Sequence, residues 1–398
     1  MPQGYKMTSL GVIPQDWEEK KLGDIAEINP RNGEITSQFV TFLTMSDISE
    51  HGGIIKENII PNISLKPGFT SFKKGDIIIA KITPCFENGK GALLDNITEE
   101  YGFGSTEFHV IRSRQCNHFI YFHTISYAFR KRLESQMTGS AGQKRVPADS
   151  VSSYKLPVPP LPEQQKIAEV LGTWDKAIEK QSQLIKKLEL RKKGLMQQLL
   201  TGKKRLPGFS GEWRKVKLGK LFIERNEINK AHLPLLSITA DRGVIFQSES
   251  DKRDISNDDK SKYKHICPND IGYNTMRMWQ GRCALSSLEG IVSPAYTIIT
   301  PNKDINPYFM EMLFKQPFTI YCFWTHSQGL VNDTLNCEFP DFSQIKVTIP
   351  NFEEQNAISQ FFKGINHEIE LCTQKLNSLL QQKKGLMQVL LTGKKRVI

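Results

Sequence analysis

An internal repeat sets the strongest limit on how this chain can fold. Residues 192–206 read KKGLMQQLLTGKKRL and residues 383–397 read KKGLMQVLLTGKKRV, so 13 of 15 positions match at an offset of 191. The same offset continues without a gap back to Pro159 and Pro350. Solenoid repeats have periods of roughly 20–50 residues, so a period this long indicates a duplicated domain instead.

A second pair of matching segments opens each half of the chain. Residues 17–23 read WEEKKLG and residues 213–219 read WRKVKLG. Between these openings and the repeated ends, the two halves differ strongly in sequence. This pattern indicates two half-chains, each consisting of a globular region followed by a helical region. We divide it into residues 1–155, 156–210, 211–345 and 346–398.

The repeated ends have the apolar pattern of long helices. Apolar residues recur at alternating spacings of four and three, which is the heptad pattern of a coiled-coil seam. The seam positions are Ile167, Leu171, Trp174, Ile178, Ile185, Leu188, Leu195, Ile358, Phe362, Ile365, Ile369, Leu376, Leu379 and Leu386. Each helix should run roughly 38 residues, or about 57 Å. We expect the two helices to pair as an antiparallel coiled coil; the alternative is that each packs on its own globular region.

Start and stop signals frame both helices. Pro162 suits the first turn of one helix, and Asn351 with Glu354 resembles a capping box at the start of the other. Gly202 and Gly393 follow the last apolar positions and predict a glycine stop.

The globular regions read as mixed helix and strand. The predicted strands are 39–45, 76–82, 106–112, 233–238, 243–248, 270–275 and 291–301. Residues 74–78 (KGDII) echo residues 268–272 (PNDIG), and a short aromatic-rich helix follows an asparagine in each region. We therefore predict an α+β chain. It has two similar α/β domains, separated by the two long helices and related by a pseudo-two-fold axis.

Composition narrows the class of partner. Lys and Arg number 53 against 42 Asp and Glu, giving a net charge of +11, which suits a phosphate-rich partner. The seven cysteines form no CxxC motif or Cys/His cluster, so we expect no metal site and a reducing, cytoplasmic location. The sequence has neither a secretion-signal pattern nor an apolar run long enough to span a bilayer, so no membrane association is expected.

Several loops carry side chains that can read bases. Asn and Gln contact adenine, and Arg and Lys contact guanine, through paired hydrogen bonds. The loops cover residues 81–90, 139–145 and 277–282; the other interpretation is that they are solvated surface loops. The candidate DNA contacts are Lys81, Thr83, Glu87, Asn88, Lys90, Gln143, Lys144, Arg145, Arg277, Trp279, Gln280 and Arg282.

Sequence motifs of the obvious enzymes are missing. There is no Asn/Asp-Pro-Pro-aromatic loop of an amino-methyltransferase and no GxxxxGK[ST] phosphate loop. GxSxG and HExxH are also absent. We therefore expect no catalytic residues and no bound cofactor in this chain.

The whole layout resembles the specificity subunit of type I restriction–modification systems. The duplicated segment PLPEQQKIAEVL…KKGLMQQLLTGKKRLPGFSGEW, its second copy, and the Trp-x4-Leu-Gly openings carry this resemblance. AKITPCFENGK…GFGSTEF and MRMWQG…GIVSPAY also look like segments of target-recognition domains, and they add Ser105 and Tyr296 to the candidate contacts.

The resemblance implies a division of labour. Each target-recognition domain would read half of a bipartite site in double-stranded DNA, and the helices would dock two modification (methyltransferase) subunits. S-adenosylmethionine would be bound by those subunits, and ATP and Mg would be used by restriction/translocase subunits. Two alternatives remain: a restriction or modification enzyme with catalysis in the same chain, and a coiled-coil scaffold without a DNA role.

Overall fold

The computed structural model describes residues 3–50, 52–64, 68–140, 142–239, 242–250, 259–331 and 334–397. The strands of the first half are β1 (Tyr5–Thr8), β2 (Gly11–Pro14), β3 (Glu18–Lys21), β4 (Ala26–Ile28), β5 (Phe39–Leu43), β6 (Asn58–Pro61), β7 (Thr70–Lys73), β8 (Ile77–Ala80), β9 (Gly91–Leu93), β10 (Tyr101–Gly104), β11 (Phe108–Ser113) and β12 (Lys155–Val158). The helices are α1 (Leu22–Ile25), α2 (Asn117–Thr124), α3 (Tyr127–Glu134), α4 (Ala148–Ser152) and α5 (Leu161–Leu199).

The second half repeats this strand order from β3 onward. Its strands are β13 (Arg214–Lys217), β14 (Phe222–Glu224), β15 (Leu236–Ile238), β16 (Val244–Phe246), β17 (Lys264–Ile266), β18 (Ile271–Asn274), β19 (Cys283–Leu285), β20 (Gly290–Val292), β21 (Tyr296–Pro301) and β22 (Lys346–Ile349). The helices are α6 (Pro307–Phe314), α7 (Pro317–His326), α8 (Phe339–Gln344) and α9 (Phe352–Leu390), and a 3-10 helix spans Thr275–Gln280.

The chain forms two compact units. The first comprises Met1–Ser182 together with Gln374–Ile398, and the second comprises Gln183–Thr373. The boundary passes through both long helices, so each unit contains one stretch of α5 and one stretch of α9. The sequence-based division at residues 156 and 346 marks where the helical regions begin. It does not mark the boundary between the two compact units.

The two units share one strand topology. A four-stranded sheet has the order β4-β11-β8-β9 in the first unit and β14-β21-β18-β19 in the second. Strand β10 pairs in parallel with β5, and a parallel bridge between Leu235 and Ile291 takes the same place in the second unit. Strands β3 and β12 pair as β13 and β22 do. The prediction of two similar mixed domains is confirmed.

The predicted strand 291–301 is wrong as a single element. Strand β20 ends at Val292 and β21 begins at Tyr296, and the backbone N–H of Tyr296 donates to the carbonyl of Ser293 at 3.1 Å. Pro294 lies in this turn and has no N–H to donate to a sheet, so the chain changes partner there.

The echo between residues 74–78 and 268–272 marks a shared turn. Gly75 and Asn269 both have a left-handed backbone, with φ of 87° and 73°. The aspartate that follows is 1% exposed in each unit, and a guanidinium pairs with it at 2.7 Å. The turn therefore requires glycine or asparagine at its tip and a cation for its buried carboxylate.

Both long helices are 39 residues long, which agrees with the predicted length. Gly202 and Gly393 follow them with φ of 71° and provide the predicted glycine stop. At the start of α9, the Asn351 Oδ1 accepts from the Glu354 N–H at 3.0 Å, which is half of the expected capping box. The Glu354 carboxylate is engaged elsewhere, as described below.

The helices pair antiparallel within each unit. In the first unit, Asp175 of α5 contacts Lys383 of α9, while Glu163, earlier in α5, contacts Arg396, beyond the end of α9. Ile167 and Leu171 also share a hydrophobic core with Leu390 and with side chains of the globular region. Helix pairing and packing on the globular region therefore coexist. Among the described helices, none has the length and apolarity needed to cross a membrane.

The predicted seam residues are shielded from solvent. The buried ones are Ile167, Leu171, Leu188, Ile358 and Phe362, and the remaining seam residues are half-buried. Gln181 and Lys383 are polar residues that occupy intervening positions of the same heptad pattern, and both are also buried. The Lys383 ammonium lies 5.2 Å from the centre of the Phe122 ring in addition to contacting Asp175.

Lys192 and Lys383 occupy equivalent positions of the heptad pattern, 191 residues apart, and should differ in their contribution to stability. Lys383→Met removes the partner of Asp175 and should lower the free energy of unfolding by about 1 kcal/mol. Burial lowers the pKa of Lys192, so its charged form is disfavoured by folding, and Lys192→Met should be neutral or slightly stabilising. Urea denaturation of the two variants checks this; equal losses would contradict it.

Candidate nucleic-acid interface

Two loops predicted to contact DNA lie side by side in the first unit. The turn of residues 81–90 connects β8 to β9, and residues 143–145 precede α4. Ile82 and Arg145 form an antiparallel bridge, the Thr83 N–H donates to the Lys144 carbonyl at 2.9 Å, and the Lys144 N–H donates to the Thr83 Oγ1 at 3.2 Å. Segments 60 residues apart in sequence therefore form one surface.

The segment of residues 105–107, which contains the predicted contact Ser105, joins this surface. The Lys81 N–H donates to the Glu107 carbonyl at 2.9 Å. The Arg145 guanidinium donates to both carboxylate oxygens of Glu107, with its Nη2 2.9 Å from one oxygen and its Nε 3.0 Å from the other. This hydrogen bonding holds the pKa of Glu107 below its ordinary value. The charge of Arg145 is therefore paired within the chain.

The candidate residues of this surface differ in how their side chains are used. The Lys90 Nζ donates to the Met45 carbonyl at 2.9 Å, and the Asn88 Nδ2 donates to the Glu50 Oε1 at 3.0 Å. The Ser105 Oγ accepts from a backbone N–H at 3.2 Å. The side chains that the structure leaves exposed are Glu87, Asn88, Gln143, Lys144 and Arg145, while Lys81, Thr83, Lys90 and Ser105 are half-buried. Ala141, within the predicted loop 139–145, lies outside the described residues.

A buried arginine supports the turn of residues 81–90. Arg130 of α3 is 8% exposed, and its guanidinium donates to the carbonyls of Thr124 at 2.8 Å, Phe86 at 3.2 Å and Gly89 at 3.3 Å. It also lies 4.7 Å from the centre of the Phe86 ring. Burial lowers the pKa of Arg130 to about 10, so the side chain remains charged at neutral pH. The sequence did not reveal this role, because YAFRKRLE reads as an ordinary solvated helix.

The second unit places its candidates at the same topological position. The 3-10 helix Thr275–Gln280 connects β18 to β19, as residues 81–90 connect β8 to β9. Asn274 caps it by accepting from the Met276 N–H at 3.0 Å. The Trp279 Nε1 donates to the Met276 carbonyl at 3.0 Å, so this indole N–H is used within the turn.

The remaining candidates of the second unit surround this turn. Gln280 and Arg282 are exposed, and Arg277 and Trp279 are half-buried. Tyr296 lies on β21 opposite Asn274, and burial raises the pKa of its hydroxyl. The structure thus brings together all the predicted contacts of this unit. Helix α7, which packs against the turn, adds exposed aromatic side chains that the sequence analysis missed: Phe318, Tyr321 and Trp324.

A tryptophan, a glutamate and an arginine form a hydrogen-bonded cluster in the first unit, at the start of α5. The Trp17 Nε1 donates to the Glu163 carboxylate at 2.9 Å. The Arg396 guanidinium donates to both oxygens of Glu163, at 2.7 and 2.8 Å, and to Asp16 at 2.9 and 2.8 Å. Trp17 is fully buried and Glu163 is 7% exposed. These carboxylates raise the pKa of Arg396 above its ordinary value.

The second unit repeats this arrangement with the equivalent residues. The Trp213 Nε1 donates to the Glu354 carboxylate at 3.2 Å, and the Arg205 guanidinium donates to both of its oxygens. Glu354 is 1% exposed. The repeated segments mark all three positions in sequence: Glu163 and Glu354, like Arg205 and Arg396, are 191 residues apart, and Trp17 and Trp213 are 196 residues apart. Their mutual contact was visible only in the structure.

Comparisons with known proteins point to one family. A family model described as the type I restriction modification DNA specificity domain matches residues 14–190. The type I restriction enzyme EcoAI specificity subunit of Escherichia coli is 43% identical over 160 residues, which are 39% of this chain and 27% of that protein. The EcoEI specificity subunit of Escherichia coli is 41% identical over 170 residues, 41% of this chain and 28% of that protein. The chain thus spans little more than a quarter of these two relatives.

One full-length relative and two solved structures extend the likeness. The putative type I restriction enzyme MjaX specificity subunit of Methanocaldococcus jannaschii is 24% identical, covering 99% of this chain and 97% of that protein. A chain from a structure of complex assembly and conformational transition in a type I R-M system has a TM-score of 0.60 at 18% identity, covering 96% and 99% of the two chains. The type I restriction-modification S subunit from M. genitalium has a TM-score of 0.54 at 14% identity, covering 94% and 96%.

Neutralising the buried carboxylate of Glu163 or Glu354 should lower the free energy of unfolding. Glu354→Gln leaves Arg205 without its charge partner, so the free energy of unfolding of the second unit should fall by about 3 kcal/mol. Glu353→Gln removes an exposed charge from the same helical turn and should change it by less than about 0.5 kcal/mol. Denaturant titration followed by circular dichroism measures both; similar shifts for the two variants would show that the buried pair is unimportant.

Proposed function

We propose that this chain, which belongs to the type I restriction–modification specificity subunit family, recognises sequence in double-stranded DNA and performs no catalysis itself. Each domain reads one half of a bipartite site. The observation that carries this proposal is that equivalent turns on one shared scaffold present different side chains. Residues 81–90 and 275–282 connect equivalent strands, yet one turn offers Glu87 and Asn88 and the other offers Gln280 and Arg282.

The chemistry of these turns fits recognition in a DNA groove. Exposed amide, acidic and basic side chains can distinguish base pairs by their donor and acceptor patterns. Backbone hydrogen bonds of Lys81 and Thr83 hold the turn against its neighbouring segments, while Glu87 and Asn88 are exposed. The net charge of +11 favours association with the phosphate backbone through counterion release. Phosphate contacts would position the chain, and base contacts would specify the sequence.

The long helices dock the two modification subunits. Leu184, Leu190 and Leu371 lie off the seam and are 43%, 71% and 51% exposed, so both helices offer exposed apolar side chains to a partner within the second unit. The modification subunits bind S-adenosylmethionine, and restriction/translocase subunits use ATP and Mg. The assembly acts in the cytoplasm, where the free cysteines of this chain remain reduced.

Exchanging one recognition region should change one half of the target. When residues 24–155 are replaced by the corresponding region of another family member, the first half-site should change, because its contacts lie on this region. The second half-site should be retained, since its contacts come from residues 220–345. Mapping methylated adenines in cells that carry the partner subunits measures this. The converse exchange of residues 220–345 is the control, and a change in both half-sites from either exchange would refute modular recognition.

Lys144 provides a test of the first unit's surface. Its ammonium is exposed beside Arg145, so Lys144→Ala should weaken DNA binding. If Lys144 contacts a phosphate, the salt dependence of binding should fall by about one counterion; a base contact would instead cost roughly 1–3 kcal/mol at one position.

The matched control is Lys166→Ala, which removes another exposed lysine, from α5. Binding is measured by fluorescence anisotropy at several salt concentrations. Arg145→Ala should also weaken binding, because it both removes a cation and leaves the Glu107 carboxylate unpaired. Lys144→Ala and Arg145→Ala variants that both behave like Lys166→Ala would exclude this loop from the interface.

A further inference from the structure

A histidine, a cysteine and two glutamates converge on one edge of the second unit. His265 lies on β17, and Cys267 follows two residues later on the same side of the extended chain. Strand β17 pairs antiparallel with β20, which places Glu289 next to them. The His265 Nε2 is 3.0 Å from the Glu289 Oε1 and 3.5 Å from the Cys267 Sγ. These three ligand atoms lie within 4.8 Å of one another.

The fourth residue, Glu227, orients the histidine. Its Oε2 lies 2.9 Å from the His265 Nδ1, and its backbone carbonyl accepts from the His265 N–H at 2.8 Å. Glu227 is itself held by the Arg225 guanidinium at 2.6 Å. A carboxylate at Nδ1 keeps the proton on that nitrogen and leaves the Nε2 lone pair available beside Glu289, while the Cys267 Sγ lies next to the ring, 3.5 Å from Nε2 and 3.9 Å from Nδ1. This is the arrangement in which metal-binding histidines are commonly held.

We propose that His265, Cys267 and Glu289 form a binding site for a thiophilic divalent cation, with Zn²⁺ as the best fit. Imidazole nitrogen, thiolate sulfur and carboxylate oxygen are the ligands that Zn²⁺ prefers, and three protein ligands leave a fourth position for water. Binding converts the Cys267 thiol to a thiolate bonded to the metal, and the displaced proton passes to solvent. The Glu289 side chain is 56% exposed, so a cation can enter from solvent.

The first unit acts as an internal comparison. Phe72 pairs with Gly102 in β7 and β10 as Ile266 pairs with Gly290 in β17 and β20. The positions equivalent to His265, Cys267 and Glu289 are therefore Ser71, Lys73 and Tyr101, which do not form this ligand set. The shared fold does not require these ligands, so they are a specific property of the second unit. The sequence analysis predicted no metal site, because it found no CxxC motif or Cys/His cluster. This prediction did not consider the His-x-Cys pair at residues 265–267, whose third ligand lies 22 residues further on.

The bound cation would tie β17 to the segment before β20. Since metal binds the folded site and not an unfolded chain, it should stabilise the second unit in proportion to its affinity. The competing interpretation is that His265 is simply hydrogen-bonded between two carboxylates and binds no metal.

Cobalt substitution of the full-length chain separates these two interpretations. After chelation and dialysis, titration with Co²⁺ should produce the visible bands of tetrahedral cobalt and a thiolate-to-cobalt charge-transfer band, at one ion per chain. Added Zn²⁺ should remove both bands. Cys267→Ser should abolish the charge-transfer band, whereas Cys322→Ser, which changes another half-buried cysteine of the same unit, should leave it intact.

Glu227→Gln should weaken Co²⁺ binding 10- to 100-fold while retaining the shape of the spectrum, because this residue positions a ligand without being one. Glu289→Gln, at a solvent-exposed position, should weaken binding and alter the visible bands, and circular dichroism in EDTA checks that each variant is folded. The proposal is overturned if the wild-type chain shows no charge-transfer band, or if a band persists unchanged in Cys267→Ser and in Glu289→Gln.

Discussion

The architecture depends on how a buried carboxylate at the start of each long helix is paired. A buried carboxylate is stable only when paired and hydrogen-bonded, and Glu163 and Glu354 each obtain an indole N–H and a guanidinium fork. The guanidinium comes from the tail of the other long helix in each unit. Neither carboxylate is satisfied until both helices have formed and paired, so local helix formation and long-range assembly are coupled.

The same requirement explains how two diverged sequences keep one fold. Asp76 and Asp270 occupy equivalent turns and are equally buried, but their arginines come from different strands. Arg112 lies on β11, and Arg225 directly follows β14. The carboxylate needs a cation within hydrogen-bonding distance, and that cation can come from either strand. Sequence divergence is therefore compatible with an unchanged framework, since the physical need can be met from several positions.

The repeat and the heptad pattern were sufficient to predict the helices, because both are local or periodic signals. The two-domain organisation followed from the same repeat. Strand ends were less accurate: 76–82 corresponds to Ile77–Ala80, and the break at Pro294 was missed. The contacts that shape the candidate surface join residues such as Ile82 and Arg145, or Arg130 and Phe86. Such contacts leave no periodic trace in a single sequence, so they were beyond prediction.

Arg130 fixes the backbone of the turn at residues 81–90 without using the exposed side chains of that turn. Its guanidinium holds the turn through main-chain carbonyls, which every amino acid possesses, and the outward side chains of Glu87 and Asn88 take no part in that support. Substitutions at those outward positions leave the Arg130 contacts in place, and only a change at Asn88 removes a further hydrogen bond, the one to Glu50. A scaffold built in this way can change the chemistry of its surface through a few substitutions while Arg130 continues to hold the main chain of the turn.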